Sequence, residues 1–171
     1  MRALGRCLIG TLLLQCATMA AAAGRGPEGS QALAWSTYVT PRSGTTVALP
    51  TGIFMPAGSP KKGIGQLFKT PDGRSSLSIY ALDNELGDSP AIYLARNLRV
   101  EQSAIEYKRI TRSFFAISME HDGMVYYSRC NFVRRDRASI HCIDLEYPQQ
   151  EKRSWDAVVT RISLSLRPLE G

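Results

Sequence analysis

The chain has 171 residues, 44% hydrophobic and 21% charged, with a formal net charge of +6. That is the size of one domain, which buries roughly two-thirds of its surface and needs no metal in order to fold. The basic residues fall in short clusters (Lys61-Lys62, Arg134-Arg135 with Arg137, and Lys152-Arg153) with no continuous stripe and no interleaved stacking aromatics. This excludes a nucleic-acid surface as the expected role. Each cluster reads as a solvated loop, with an anionic membrane surface or an acidic partner as the open alternative.

Residues 1–23 have the three-part grammar of a secretory signal peptide. A short basic start, Met1 to Arg6, precedes an apolar run from Cys7 to Ala23 that ends in small residues. A spanning helix needs about 20 consecutive apolar residues, and this run is broken by Gly10, Thr11, Gln15 and Thr18. Cleavage is expected after Ala22 or Ala23, leaving no membrane-spanning segment. Gln15, which is not small, argues against lipidation at Cys16. The expected location is therefore the periplasm or the exterior of a bacterial cell. Removing Arg2 and Arg6 lowers the formal net charge from +6 to +4.

Cleavage also removes Cys7 and Cys16 and leaves Cys130 and Cys142. Two cysteines in an oxidising compartment imply one structural disulfide and no free thiol. Their spacing does not fit a redox Cys-x-x-Cys pair, and only His121 and His141 would remain to complete a zinc site, so no metal and no cofactor is expected.

Residues 24–33 read as a flexible leader and residues 34–168 as a single folded domain. Trp35 to Thr40 is rich in strand formers, Pro41 to Gly44 turns the chain, and Thr45 to Leu49 returns as a second strand. Met55 to Gly63, with two prolines, reads as the longest loop. Strands over Gly65 to Thr70 and Ser75 to Leu82 flank the turn Pro71-Asp72-Gly73. In the second of them Leu77, Ile79 and Ala81 alternate with Ser76, Ser78 and Tyr80, which predicts one buried and one partly wet face.

Ser89 and Pro90 open a first helix as cap and first residue. Ile92, Ala95 and Leu98, with Leu94, supply its apolar stripe, and it should fade near Gln102. Strands over Ile105 to Thr111 and Phe114 to Glu120 come next, and Asp122-Gly123 turns into a strand from Met124 to Val133. Ser139 to Tyr147 is its partner. Pairing Cys130 with Cys142 centres that hairpin on Asp136 and sets Phe132 opposite Ile140 and Arg129 opposite Ile143. From Gln150, a second helix carries Trp155, Val158, Val159, Ile162 and Leu166 on one side, and Pro168 ends it. The expected architecture is an α+β domain with an antiparallel sheet of about six to eight strands covered by two helices.

The order of these elements resembles the PsbP-like domain, named for an extrinsic subunit of photosystem II. The matching residues are Tyr38, Gly44, Val47 and Leu49-Pro50-x-x-Ile53-Phe54, then Gly65-x-x-Phe68, Leu77-Ser78-Ile79, Tyr126-Tyr127 and Ile162-Ser163-Leu164-Ser165. The resemblance spans Trp35 to Leu166 and implies a sandwich-like fold, with no metal or partner site that transfers residue by residue. Fold alone does not imply function.

Catalytic chemistry finds little support. His121 sits beside a turn, and His141 points to the face opposite Cys142. No Gly-x-Ser-x-Gly elbow is present, and Gly63-x-Gly65 lacks the rest of a dinucleotide loop. Asp144 and Glu146 share one strand face with Tyr126 and Ser128, and the expectation for these carboxylates is salt bridging to arginine. The tyrosines either line a groove or cover half-buried sheet faces with wet hydroxyls. The resulting expectation is a non-catalytic exported binding or accessory module, with an unidentified envelope protein or ligand as its partner. Tyr126, Asp144, Glu146 and His141 are its candidate surface residues. The alternative is a small periplasmic hydrolase or metal-using enzyme around His121, His141, Asp144 and Glu146.

Overall fold

In a computed structural model of the chain, residues 33–98, 104–133 and 138–169 are described. The expected signal peptide, nearly all of the leader, the helix end near Gln102 and the hairpin centre at Asp136 lie outside these residues. The order is β1 (Trp35–Val39), β2 (Thr45–Pro50), β3 (Met55–Pro56), β4 (Ile64–Lys69), β5 (Ser76–Asp83), α1 (Pro90–Asn97), β6 (Ile105–Ile110), β7 (Phe114–His121), β8 (Met124–Phe132), β9 (Ser139–Pro148), α2 (Lys152–Ser165) and β10 (Arg167–Pro168). A seven-stranded antiparallel sheet runs β3-β4-β5-β9-β8-β7-β6, and a three-stranded sheet runs β1-β2-β10.

The α+β class and the antiparallel main sheet agree with the sequence pattern, but four local expectations are corrected. β1 and β2 leave the main sheet and form their own, closed by β10. Pro168 therefore does more than stop α2: the chain after the helix returns alongside Thr45 and Thr46. Met55 and Pro56, expected in a loop, pair with Lys69 and Phe68 as a short edge strand, a position where proline is tolerated because no ladder N–H is needed. The apolar stripe of α1 is also displaced. Pro90 and Leu94 are its buried residues, while Ile92 is 53% exposed. Positions 90, 94 and 98 follow the helical repeat along the sheet, and Ile92 and Ala95 fall on its solvent side.

Both faces of the main sheet are covered, and the two-residue strand period sorts side chains between them. On β9, Ile143, Leu145 and Tyr147 join Val47, Leu49, Phe54, Phe68 and the buried stripe of α2 in the larger core. Trp155 packs against Tyr147 and Phe54, with ring centroids 5.3 and 5.7 Å apart. The alternate residues Ile140 and Cys142 face α1 and form a second core with Tyr80, Leu94, Phe115, Ile117, Cys130 and Phe132. Ser89 Oγ caps α1 by accepting from the Ile92 N–H at 3.3 Å. Tyr93 fastens the helix to the sheet, lying 6.2 Å from Phe115 and 5.7 Å from Phe132.

Two links hold this arrangement. Cys130 and Cys142 are direct register partners and are joined by a disulfide, with Phe132 opposite Ile140 and Arg129 opposite Ile143 as the pairing requires. The β7–β8 hairpin turns through Asp122 and Gly123, both at positive φ (50° and 72°), the backbone of a two-residue turn that favours Asp-Gly. The second link is polar. Thr45 Oγ1 on β2 and His141 Nδ1 on β9 are 2.8 Å apart, joining the small sheet to the large one. The Thr45 N–H donates to Thr40 Oγ1 at 2.8 Å, so this buried cluster is internally satisfied.

Reduction of the disulfide, or Cys142→Ser, should lower stability by about 3 kcal/mol, the value expected for closing a loop of this length. Urea unfolding with and without reductant measures it, and coincident curves would contradict the crosslink. His141 supplies a pH signature. Burial holds its pKa below the ordinary 6.5, so on acidification the unfolded chain takes up a proton that the folded chain resists. Stability present at neutral pH should therefore fall as the pH drops through the ordinary histidine range. Melting temperature followed from about pH 7 to pH 5 should show a shallower decline in His141→Asn than in the wild type.

Candidate functional site

The α1 side of the main sheet has a helix of only eight residues to cover it, and the floor continues beyond its reach. The uncovered part is a half-open groove of about 570 Å³. Its floor comes from the face of β5, β9, β8 and β7 that carries Tyr80, Asp144, Tyr126 and Ile117. α1 contributes Tyr93 and Asn97 to the wall, and Lys62 reaches the rim from the segment between β3 and β4. Gly65 is required here by close approach. A Cβ on it would fall 1.9 Å from the Ile79 carbonyl oxygen and 2.6 Å from Tyr80 Cα, so only glycine lets β4 lie this near the strand that presents Tyr80.

The central polar contact is Tyr80 Oη donating to Asp144 Oδ2 at 2.8 Å. Tyr80 is only 3% exposed, and burial, reinforced by the Asp144 charge, raises its pKa far above the ordinary phenol value. Tyr93 is shifted the same way, by burial first and then by Asp144 and Asp88. Both phenols are thus neutral hydrogen-bond donors at any physiological pH. Asp144, with one contact from Tyr80, keeps acceptor capacity for a further donor. The Glu146 carboxylate, next on the same face, makes no hydrogen bond or ion pair among the described residues.

The expectation that arginines neutralise Asp144 and Glu146 is corrected by the register. Their cross-strand neighbours are Ser78 and Ser128 for Asp144, and Ser76 and Tyr126 for Glu146. None of these is cationic. Tyr80 is likewise buried with its hydroxyl bonded, and is not a wet ring on an open face.

Three of the four expected surface residues, Tyr126, Asp144 and Glu146, meet in the groove. His141 does not. It lies on the opposite face, 5% exposed and bonded to Thr45. His121 sits at the β7–β8 turn, its side chain 73% exposed and paired with Asp122 at 3.1 Å. The four groups of the enzyme alternative are thus split between two faces and a hairpin tip, and only Asp144 and Glu146 share a face. Among the described residues no group of three metal-capable side chains gathers.

Sequence reasoning missed Lys62 and Asn97 as groove residues, and offered Tyr80 and Tyr93 only among tyrosines that either line a groove or cover sheet faces. A signal for Tyr80 existed in its alternation with Leu77 and Ile79. Using it required knowing that β5 pairs with β9, a partnership 64 residues apart in the chain.

The fold, an antiparallel sheet with one helix and a small second sheet on one face and a short helix on the other, is PsbP-like. The solution structure of cyanobacterial PsbP (CyanoP) from Synechocystis sp. PCC 6803 is similar to this chain with a TM-score of 0.56 and 11% sequence identity, over 84% of this chain and 97% of that one. At this identity the likeness shows the fold alone. No protein-family model matches the chain, and no curated protein does.

Tyr80→Phe tests the central contact. It removes the donor to Asp144 without changing ring volume, and should lower stability by about 1 kcal/mol, the net worth of one hydrogen bond whose acceptor can turn to water. Urea titration of the two proteins checks this, and an unchanged midpoint would show that the pair contributes nothing.

Proposed function

We propose that this chain is an exported, non-catalytic binding or accessory module whose partner docks in the groove beside α1. The observation that carries this reading is the groove itself, where aromatic walls meet two carboxylates with unused acceptor capacity. Concave sites with a largely apolar lining and a few convergent polar groups are where proteins hold ligands. The floor favours a partner presenting hydrogen-bond donors to Asp144 and Glu146. Its remaining polar side chains (neutral phenols, a serine hydroxyl, an asparagine amide and one rim lysine) suit recognition, and among the described residues no histidine lines the groove to activate a hydroxyl.

Export is the second half of the proposal. It rests on the grammar of residues 1–23 and is supported by a Cys130–Cys142 disulfide, which suits an oxidising compartment. No described helix is long and apolar enough to cross a membrane.

A photo-crosslinking residue placed at Tyr126 tests both halves in one preparation. Irradiated cells should yield one dominant adduct in the envelope fraction, lost when Glu146→Lys is added and absent when the probe stands at the exposed Arg153 on α2. Mass analysis of the recovered chain should find it starting at Ala23 or Gly24 with both sulfurs oxidised. Adducts of equal yield from Arg153 would remove the groove from the proposal. Intact protein in the cytosol with free thiols would remove export.

A further inference from the structure

A second concavity lies on the other side of the main sheet, separated from the α1 groove by the sheet itself. α2 packs over β2 and β9, and the sheet continues past it into β7 and the edge strand β6. There the register arranges side chains in rows. Arg109, Ala116 and Arg129 are successive cross-strand partners, and Tyr107, Ser118 and Tyr127 form the next row. Each row places a small residue of β7 between longer ones of β6 and β8. The result is a trough of about 380 Å³, with Asp156, Thr160 and Ser163 of α2 along one wall.

Among the described residues, the two arginines are held in place without a counter-ion. Arg109 and Arg129 both lie over the Phe114 ring, 5.5 and 4.1 Å from its centroid. Arg129 also donates from Nε to Asn131 Oδ1 at 3.0 Å and from a terminal nitrogen to Ser163 Oγ at 3.4 Å. Ser163 is fixed in turn by the Tyr127 hydroxyl at 2.6 Å. Neither guanidinium makes an ion pair among the described residues. Lys152 behaves differently: Glu106 and Glu120 bind its ammonium at 2.7 and 2.6 Å, so its end of the trough carries more negative than positive charge. Asp156 stands one helical turn from Lys152 and about 10 Å along the helix axis from Ser163. The trough therefore has a cationic end and an acidic end, joined by a floor of Ala116 and Ser118 between two tyrosines.

Stacked guanidiniums with free donor edges match oxyanions better than any other partner, because planar N–H pairs meet carboxylate or phosphate oxygens two at a time. Holding the side chains by stacking and neutral hydrogen bonds removes much of the ordering cost of that contact. We propose that this trough binds a small organic oxyanion. Its phosphate or carboxylate head sits between Arg109 and Arg129, and its flat apolar body lies over Ala116 and Ser118 between Tyr107 and Tyr127. This site is independent of the α1 groove, and neither depends on the other's ligand.

Calorimetric titration of the purified chain with phenyl phosphate tests the proposal, with benzoate, inorganic phosphate and benzyl alcohol as comparison probes. Phenyl phosphate or benzoate should bind saturably, and which is tighter identifies the preferred head. Inorganic phosphate should bind at least several-fold more weakly, and benzyl alcohol should not compete. Arg109→Gln, at an exposed strand-edge position, should weaken binding of the preferred probe at least about tenfold, as expected for loss of a charge-assisted contact, with an unchanged melting temperature. Ser118→Phe should fill the trough and reduce that affinity to the level of inorganic phosphate while both arginines remain. Arg161→Gln removes a cation that stacks on Trp35 at 4.3 Å and should leave affinity unchanged. Absence of saturable binding by both aryl probes, insensitivity to Arg109→Gln, or an equal loss in Arg161→Gln would each overturn the proposal.

Discussion

The two-residue period of the central strands, with both sheet faces covered, is the constraint on which everything else rests. On β5, β9 and β8 each side chain faces one of the two sides, where the apolar ones build two cores, and a slip of one residue would move every one of them to the wrong face. The disulfide removes that freedom where the pairing is most consequential. Cys130 and Cys142 stand directly opposite, and the rest of β8 against β9 follows from them. With that register in place, Leu145 must meet Trp155 and its neighbours, and Asp144 must face the side of α1.

Uneven cover on the two faces turns a packed sandwich into a molecule with concavities. α2, fourteen residues long, lies with the small sheet over the larger core, yet leaves β6 and β7 open on its side. α1, with eight, shelters Phe115, Phe132 and the disulfide and stops short of Tyr126 and Glu146. Both open regions are bounded by aromatic side chains, which supply wall area while keeping a polar tip for a partner. The buried Thr45–His141 contact lies between the two sheets and connects neither concavity to solvent.

The same alternation decides the chemistry. His141 and Asp144 are three residues apart on one strand, so they occupy opposite faces, and an imidazole buried for structural reasons is withdrawn from acid–base work. The carboxylates that remain in the α1 groove meet neutral phenols and serine hydroxyls. Such surroundings favour the proposed binding role over chemistry that needs an activated nucleophile. A PsbP-like fold does not alter this inference, because the shared feature is backbone architecture and the groove side chains belong to this chain.

What the sequence determined by itself was local. The Asp122-Gly123 turn, the Ser89–Pro90 helix start, the stripe of α2 and the Cys130–Cys142 register all follow from interactions between residues near one another in the chain, so periodicity and turn chemistry suffice to read them. The face shared by Tyr126, Asp144 and Glu146 was legible for the same reason, since one hairpin carries all three. The tertiary structure alone decided that β5 lies beside β9, that β1 and β2 leave the main sheet to join β10, and that Tyr80 and Lys62 reach the groove. Those outcomes depend on contacts between distant segments, where many pairings satisfy the same alternation and only simultaneous burial of both faces selects one. The arrangement of Arg109 and Arg129 across Ala116 is of this kind as well: three strands must be aligned before either arginine has the other as a neighbour.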